Sequence, residues 1–262
     1  MKQKSLIVIL SVLCFIVLIV VLSSTVFCLK NVELNFYSNT INLTDNEKII
    51  ESGNFKYNQS IFFINKEKYI KSLEENNPYL KVINLETSFP NKLIINAIER
   101  NELFIVKTYE NNTFKNYAVL DDEFKILKLE SSFVNTNINP IYLTIEGENF
   151  NSNSAGSSIS LTSEHKNILL KLSNELLAYE NNVNFIKANF EEINLNFEKE
   201  FDLRIKMRSG VEIVLKEASI RFEEKFVLAL SYYNECDTIK KESGRITAFE
   251  NNAGQIEGYY YN

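Results

Sequence analysis

Histidine occurs once in this 262-residue chain and cysteine three times, and these two scarcities remove whole classes of chemistry. Cys14 lies inside a long apolar run and Cys28 at its outer edge, which leaves Cys236 as the one thiol well beyond it. No intradomain disulfide and no thiolate metal cage can be built from that set. The single histidine, His165, stands at the start of a predicted helix among polar neighbours. It reads as a solvated helix residue, because imidazole catalysis needs a base held in place by partners. Basic residues are also in deficit, 28 Lys and Arg against 34 Asp and Glu. Such an acidic balance argues against nucleic acid or anionic lipid as the main partner. The sequence has no phosphate-binding glycine loop, no metal-ligand spacing and no nucleophile elbow. Neither an enzyme nor a cofactor is therefore expected: no catalytic residue, no metal and no small-molecule substrate.

Against these absences stands one dominant feature, the uncharged stretch Leu6 to Leu29. As a helix rising 1.5 Å per residue it would reach roughly 36 Å, enough to cross a hydrocarbon core of about 30 Å with some tilt. A cleavable signal peptide would have a shorter run and a small-residue cleavage site. Ser23, Ser24 and Thr25 are small, but no Ala-x-Ala pattern follows, and bulky Phe27 disfavours lipidation at Cys28. Lys2 and Lys4 precede the run with no acidic residue to offset them. The expectation is an uncleaved membrane anchor over residues 6–29, with residues 1–5 cytoplasmic and residues 30–262 outside. Setting Lys2 and Lys4 aside leaves 26 basic against 34 acidic residues, a net of −8 for the outer part. Its aliphatic and aromatic content is enough to bury a core.

Beyond the apolar run, Val32, Leu34 and Phe36 alternate with polar residues as in a half-buried strand. Thr44-Asp45-Asn46-Glu47 reads as a capping box opening a short helix, and Gly53 is placed to end it in a left-handed conformation. A second helix is expected from about Asn65 to Asn76, with Tyr69, Ile70 and Leu73 on one face, stopped by Pro78. Leu80 to Thr87 and Lys92 to Glu99 are β-rich and flank a Phe89-Pro90-Asn91 turn. Glu99 and Arg100, as strand neighbours, point to opposite faces and read as fold-stabilising.

This strand-helix-helix-strand-strand order resembles the polypeptide-transport-associated (POTRA) domain of the FtsQ/DivIB cell-division proteins. The residues that carry the likeness are Ser52-Gly53, Ile61-Phe62-Phe63-Ile64, Leu73 with Asn76-Asn77-Pro78-Tyr79, Phe89-Pro90-Asn91 and Glu99-Arg100. Two departures stand out: Glu102 replaces a usual proline, and Tyr37-Ser38-Asn39 lacks the glycine common after the first strand.

The remainder follows the same family in outline. A hairpin is expected over Leu103 to Leu129, turning at Asp121-Asp122-Glu123 with Phe124 near the family's glycine position. These acids read as turn formers, not as a calcium site or an acid/base pair. Then come a Pro140-led segment, an Asn/Ser/Gly-rich loop at 149–158 and a helix from about Ser163 to Asn181. Phe201 to Met207 alternates strictly and turns at Ser209-Gly210 into Val211 to Leu215. Phe222, Phe226, Val227, Leu230 and Tyr233 have helical spacing, Arg245 to Asn251 is a last strand, and the chain closes on Tyr259-Tyr260-Tyr261.

The expected fold is therefore α+β: an N-terminal transmembrane helix, a POTRA domain over 30–102, and a larger mixed β domain over 103–262 with helices on one face. The resemblance implies a single-pass scaffold of the bacterial division machinery at the septum. Its partners would be small membrane proteins of the FtsL and FtsB/DivIC type and other division components, and it would influence septal peptidoglycan synthesis. It also implies that an FtsB-type segment adds as a strand to the open edge at the last strand. That assigns Arg245, Ile246, Ala248 and Phe249 to the partner site, with Phe226 and Tyr233 contributing from the preceding helix. Two other readings fit a lone POTRA domain: transport or outer-membrane assembly, and an anchored cell-wall enzyme or binding module.

Overall fold

A computed structural model describes residues 2–37, 40–134, 139–151, 153–180, 182–235 and 242–261, with the side chains of 2–7, 9 and 22–24 left undescribed. The chain divides into two compact units, Met1–Arg100 and Asn101–Asn262.

The first unit begins with α1 (Lys2–Thr25), a helix of 24 residues. Its described side chains are exposed and, apart from Ser11 and Thr25, apolar, with Phe15 63% and Val20 58% accessible. The apolar ones run without a gap over residues 12–21, and among the described residues no helix is long and apolar enough to cross a membrane. The chain then forms β1 (Asn31–Phe36), α2 (Asn46–Ser52), a 3-10 turn at Ile61–Phe63, α3 (Lys66–Asn76), β2 (Leu80–Ser88) and β3 (Lys92–Glu99). The sheet order is β1-β3-β2, with β1 parallel and β2 antiparallel to β3. Leu73, Leu80, Leu93 and Ile95 are fully buried between this sheet and the helices.

Two local expectations are corrected. The helix cap of α2 is Asp45, whose side chain accepts from the Lys48 amide, and not Thr44. Gly53 ends that helix in the right-handed region at φ −68°, and Asn54 is the left-handed residue at φ 51°. Glycine is needed at 53 for another reason: a Cβ there would run into the Phe55 ring. The Glu-Arg pair does divide between faces. Arg100 is buried, donating from Nε to the Leu80 carbonyl at 3.1 Å and from Nη2 to Glu74 at 3.1 Å. Glu99 accepts from the Asn42 amide at 2.9 Å.

The second unit carries β4 (Phe104–Glu110), β5 (Thr113–Leu120), β6 (Ile126–Glu130), β7 (Ile141–Ile145) and β8 (Phe150–Asn151). There follow α4 (Ser163–Tyr179), α5 (Val183–Asn189), β9 (Phe190–Leu195), β10 (Leu203–Met207), β11 (Glu212–Leu215), α6 (Phe222–Glu235), β12 (Arg245–Glu250) and β13 (Ile256–Tyr261). One sheet runs β13-β12-β11-β10-β9-β7-β4-β5-β6, and β8 pairs with β4. Its core joins Leu203, Ile205 and Met207 to Ile168, Leu172 and Leu176 of α4 and Phe222 and Phe226 of α6. On the opposite face Arg204 bridges Glu192 of β9 and Glu212 of β11, and Lys206 bridges Glu191 of β9.

Three sequence readings change here. α5, β9 and β13 add elements where none was expected, and the loop at 149–158 contains the short strand β8. His165 is buried, not solvated, with Nδ1 3.1 Å from Glu148 and Nε2 3.3 Å from the Asn196 amide nitrogen. Phe124 takes the left-handed conformation at φ 65°, the role a glycine would fill, and stacks on Phe104 at 5.3 Å. Asp121 beside it accepts from the amides of Glu123 and Lys125, which makes the acidic cluster a turn.

Candidate partner-docking edge

β12 is not an edge. It pairs in parallel with β11, from Glu212↔Arg245 to Leu215↔Ala248, and antiparallel with β13, from Arg245↔Tyr261 to Glu250↔Ile256. The open edge expected at Arg245 to Asn251 is therefore filled by the chain's own final strand. Among the described residues, β13 ends the sheet on that side.

The side chains follow from this register. Ile246 and Ala248 lie fully buried on the helix-covered face, where Phe226 also packs, its ring 5.7 Å from Phe222. These three build the core and present no side chain outward. Tyr233 is half-buried, its hydroxyl 3.1 Å from Ser209 Oγ. Arg245 and Phe249 alternate with the buried pair and so face the other way. Arg245 pairs with Glu212 and Glu198, each at 2.9 Å. The Phe249 ring meets Tyr259 at 5.8 Å, and Tyr259 meets Tyr261 at 5.6 Å.

β13 is an element beyond those expected, and Asn251-Asn252-Ala253-Gly254 is the turn signal that leads into it. Gly254 is left-handed at φ 74°, and the Asn251 amide donates to the Gln255 carbonyl at 2.9 Å. Alternation along an antiparallel pair then turns the amides of Glu257 and Tyr259 toward β12 and those of Ile256 and Gly258 outward. The result is a short strand with an aromatic face at Tyr259 and Tyr261, 48% and 43% exposed. Gly258 has a steric reason to lack a side chain, since its Cβ would press on Tyr232 of α6 at 3.0 Å.

A depression beside this edge is lined by Lys199, Asp202, Lys216, Glu217, Thr247, Phe249 and Tyr259. Its polar floor is already engaged: Asp202 is buried and accepts from Lys216 Nζ at 3.0 Å and from the Glu217 amide at 2.9 Å. The hydrogen bond from Lys216 holds the Glu198 carboxyl below the usual carboxylate range. These are structural ion pairs, and no group of three His, Cys, Asp or Glu among the described residues could hold a metal ion. What the arrangement offers chemically is backbone pairing and aromatic contact. Cys236 lies outside the described residues.

The first unit carries the features of a POTRA domain, and residues 38–100 match the model of the FtsQ-type POTRA domain. The chain is 31% identical over 162 residues to the cell division protein DivIB of Clostridium botulinum, covering 58% of this chain and 56% of that protein. It is 28% identical over 105 residues to the cell division protein DivIB of Clostridium acetobutylicum, covering 40% of this chain and 39% of that protein. The matched portion thus spans about half the length of these relatives or less. Over residues 38–100 the chain is similar to FtsQ-type POTRA domains, and over the matched portions it is similar to proteins named cell division protein DivIB.

Proposed function

We propose that this chain is a single-pass membrane scaffold of the bacterial division machinery, acting at the septum. α1 anchors it with residues 1–5 inside, and residues 30–262 lie outside as a POTRA domain over 30–102 followed by a β domain. It holds small membrane proteins of the FtsL and FtsB/DivIC type and so helps coordinate septal peptidoglycan synthesis. The names of the DivIB relatives support the division role, and the 24-residue helix with exposed apolar side chains supports the anchor.

The observation that carries the partner reading is that β13 closes the sheet with outward-facing amides at Ile256 and Gly258. An extended partner segment pairs with such an edge through its backbone and is selected by alternate side chains. Tyr259 and Tyr261 supply that selection, with Arg245 and Phe249 beside them on the same face. Ile246, Ala248 and Phe226 support the docking strand from below.

Ile256→Pro removes one outward amide and leaves the Asn251–Gln255 closure in place. The full-length variant, co-expressed with an FtsB/DivIC-type partner, should lose at least most of its co-purification while its circular dichroism matches the parent. Undiminished co-purification would mean that the partner binds elsewhere.

A further inference from the structure

The point where α1 gives way to β1 is unusually well built. Residues 27–30 are clamped by backbone hydrogen bonds on two sides. On one side the Ile61 amide donates to the Phe27 carbonyl at 2.9 Å, the Leu29 amide to Gln59 at 2.8 Å, and the Asn58 amide to Leu29 at 2.9 Å. On the other, the Lys30 amide donates to the Asn91 carbonyl at 2.9 Å. Cys28 and Leu29 are buried in the core of the first unit. No free stalk separates the helix from the domain.

Around this exit sits a ring of aromatics. Phe27 lies 5.5 Å from Phe62 and 6.1 Å from Phe89, and Phe62 and Phe89 are 5.7 Å apart. Phe62 is 55% exposed, Phe89 64% and the adjoining Phe63 84%. Single exposed aromatics are ordinary, but three in mutual contact form a patch that water solvates poorly. The three segments that build the patch, residues 26–32, 57–66 and 87–92, contain no acidic residue, in a chain whose net charge is −6. The first of them includes the end of the uncharged run at Leu29.

We propose that Phe27, Phe62, Phe63 and Phe89 form a collar that enters the headgroup–acyl boundary of the outer leaflet and seats the POTRA domain on the bilayer. The inference rests on the reading of α1 as a membrane anchor. Apolar and aromatic side chains favour that depth, a few ångströms below the headgroups, where an apolar surface is covered without a protein partner. The 3-10 turn at Ile61–Phe63 and the Phe89-Pro90-Asn91 turn supply the rings, and the clamp on residues 27–30 fixes the domain's height above the hydrocarbon.

The chain contains no tryptophan, so one substitution makes a clean fluorescent reporter. Full-length Phe62→Trp, Phe63→Trp and Phe89→Trp chains, with Val17→Trp as the anchor reporter, are reconstituted in phosphatidylcholine vesicles. The vesicles carry bromine either high or deep on the acyl chains. The collar tryptophans should emit at shorter wavelength than in detergent-free buffer-exposed peptides and lose more intensity to the shallow bromine than to the deep. Val17→Trp should show the reverse order. If Val17→Trp is quenched by deep bromine while all three collar reporters are unquenched and open to aqueous acrylamide, the collar sits clear of the membrane and the proposal fails. Failure of Val17→Trp to respond to either lipid would overturn the anchor reading itself, and the collar with it.

Discussion

Lys225 shows how far a single side chain can depart from its usual surroundings. It is 1% exposed, and its ammonium donates to the carbonyls of Lys216 at 2.8 Å and Glu217 at 3.1 Å, closing the turn that leads from β11 into α6. Burial lowers its pKa from the ordinary 10.5. The unfolded chain then binds more protons than the folded one between the lowered value and 10.5, so this group's contribution to stability rises with pH across that window. Measured against Lys225→Met, the parent should gain stability as the pH is raised toward 10.5, read as the shift in urea midpoint. A relative loss would show that the ammonium is held by charge and not penalised by burial. Other residues were hidden from the sequence for a related reason. The burial of His165 depends on Glu148 and Asn196, which the fold brings to it from 17 and 31 positions away. Phe124 stood at a glycine position and kept the glycine conformation, which its stacking on Phe104 repays.

Elements with strong periodicity were legible, and those whose pattern is completed by a neighbour were not. β10, alternating strictly, and α4 and α6, with apolar stripes, lie within a few residues of their expected bounds. β9 reads poorly because Glu191 and Glu192 interrupt its apolar residues, yet both acids are matched by Lys206 and Arg204 on the adjacent strand. β13 holds a glycine and three tyrosines, a composition with no clear inside and outside until α6 packs on one face and Phe249 on the other. With β13 paired to β12, the open edge lies one strand beyond the one the resemblance implies. The β10–β11 turn has a tight requirement: Gly210 sits at φ 107°, and a Cβ there would collide with the Glu242 carbonyl oxygen. Gly210→Ala should cost on the order of 1–3 kcal/mol, seen in thermal or urea unfolding of the purified chain. A neutral result would mean that the 242–244 segment moves aside without penalty.

At the scale of the whole molecule, the two units have separate cores, one built on Leu73, Leu80 and Ile95 and the other on Phe104, Ile205 and Phe226. Leu73 is fully buried, and Leu73→Ala should cost about 2–5 kcal/mol through the cavity it leaves. Hydrogen exchange should show that loss within residues 28–100, with protection of β9, β10 and β11 retained. Equal loss in both units would mean that they unfold as one.

The order of strands in the first unit also has a mechanical meaning. Helix α1 enters at the start of β1, and the second unit departs from the far end of β3. Because β1 and β3 run parallel, from Asn31↔Lys92 to Phe36↔Ala97, a pull between those two attachment points drags one strand lengthwise past the other. All six residue pairs bear the load together and cannot peel apart one at a time. Tension applied between α1 and the second unit would thus meet the domain along its most resistant direction.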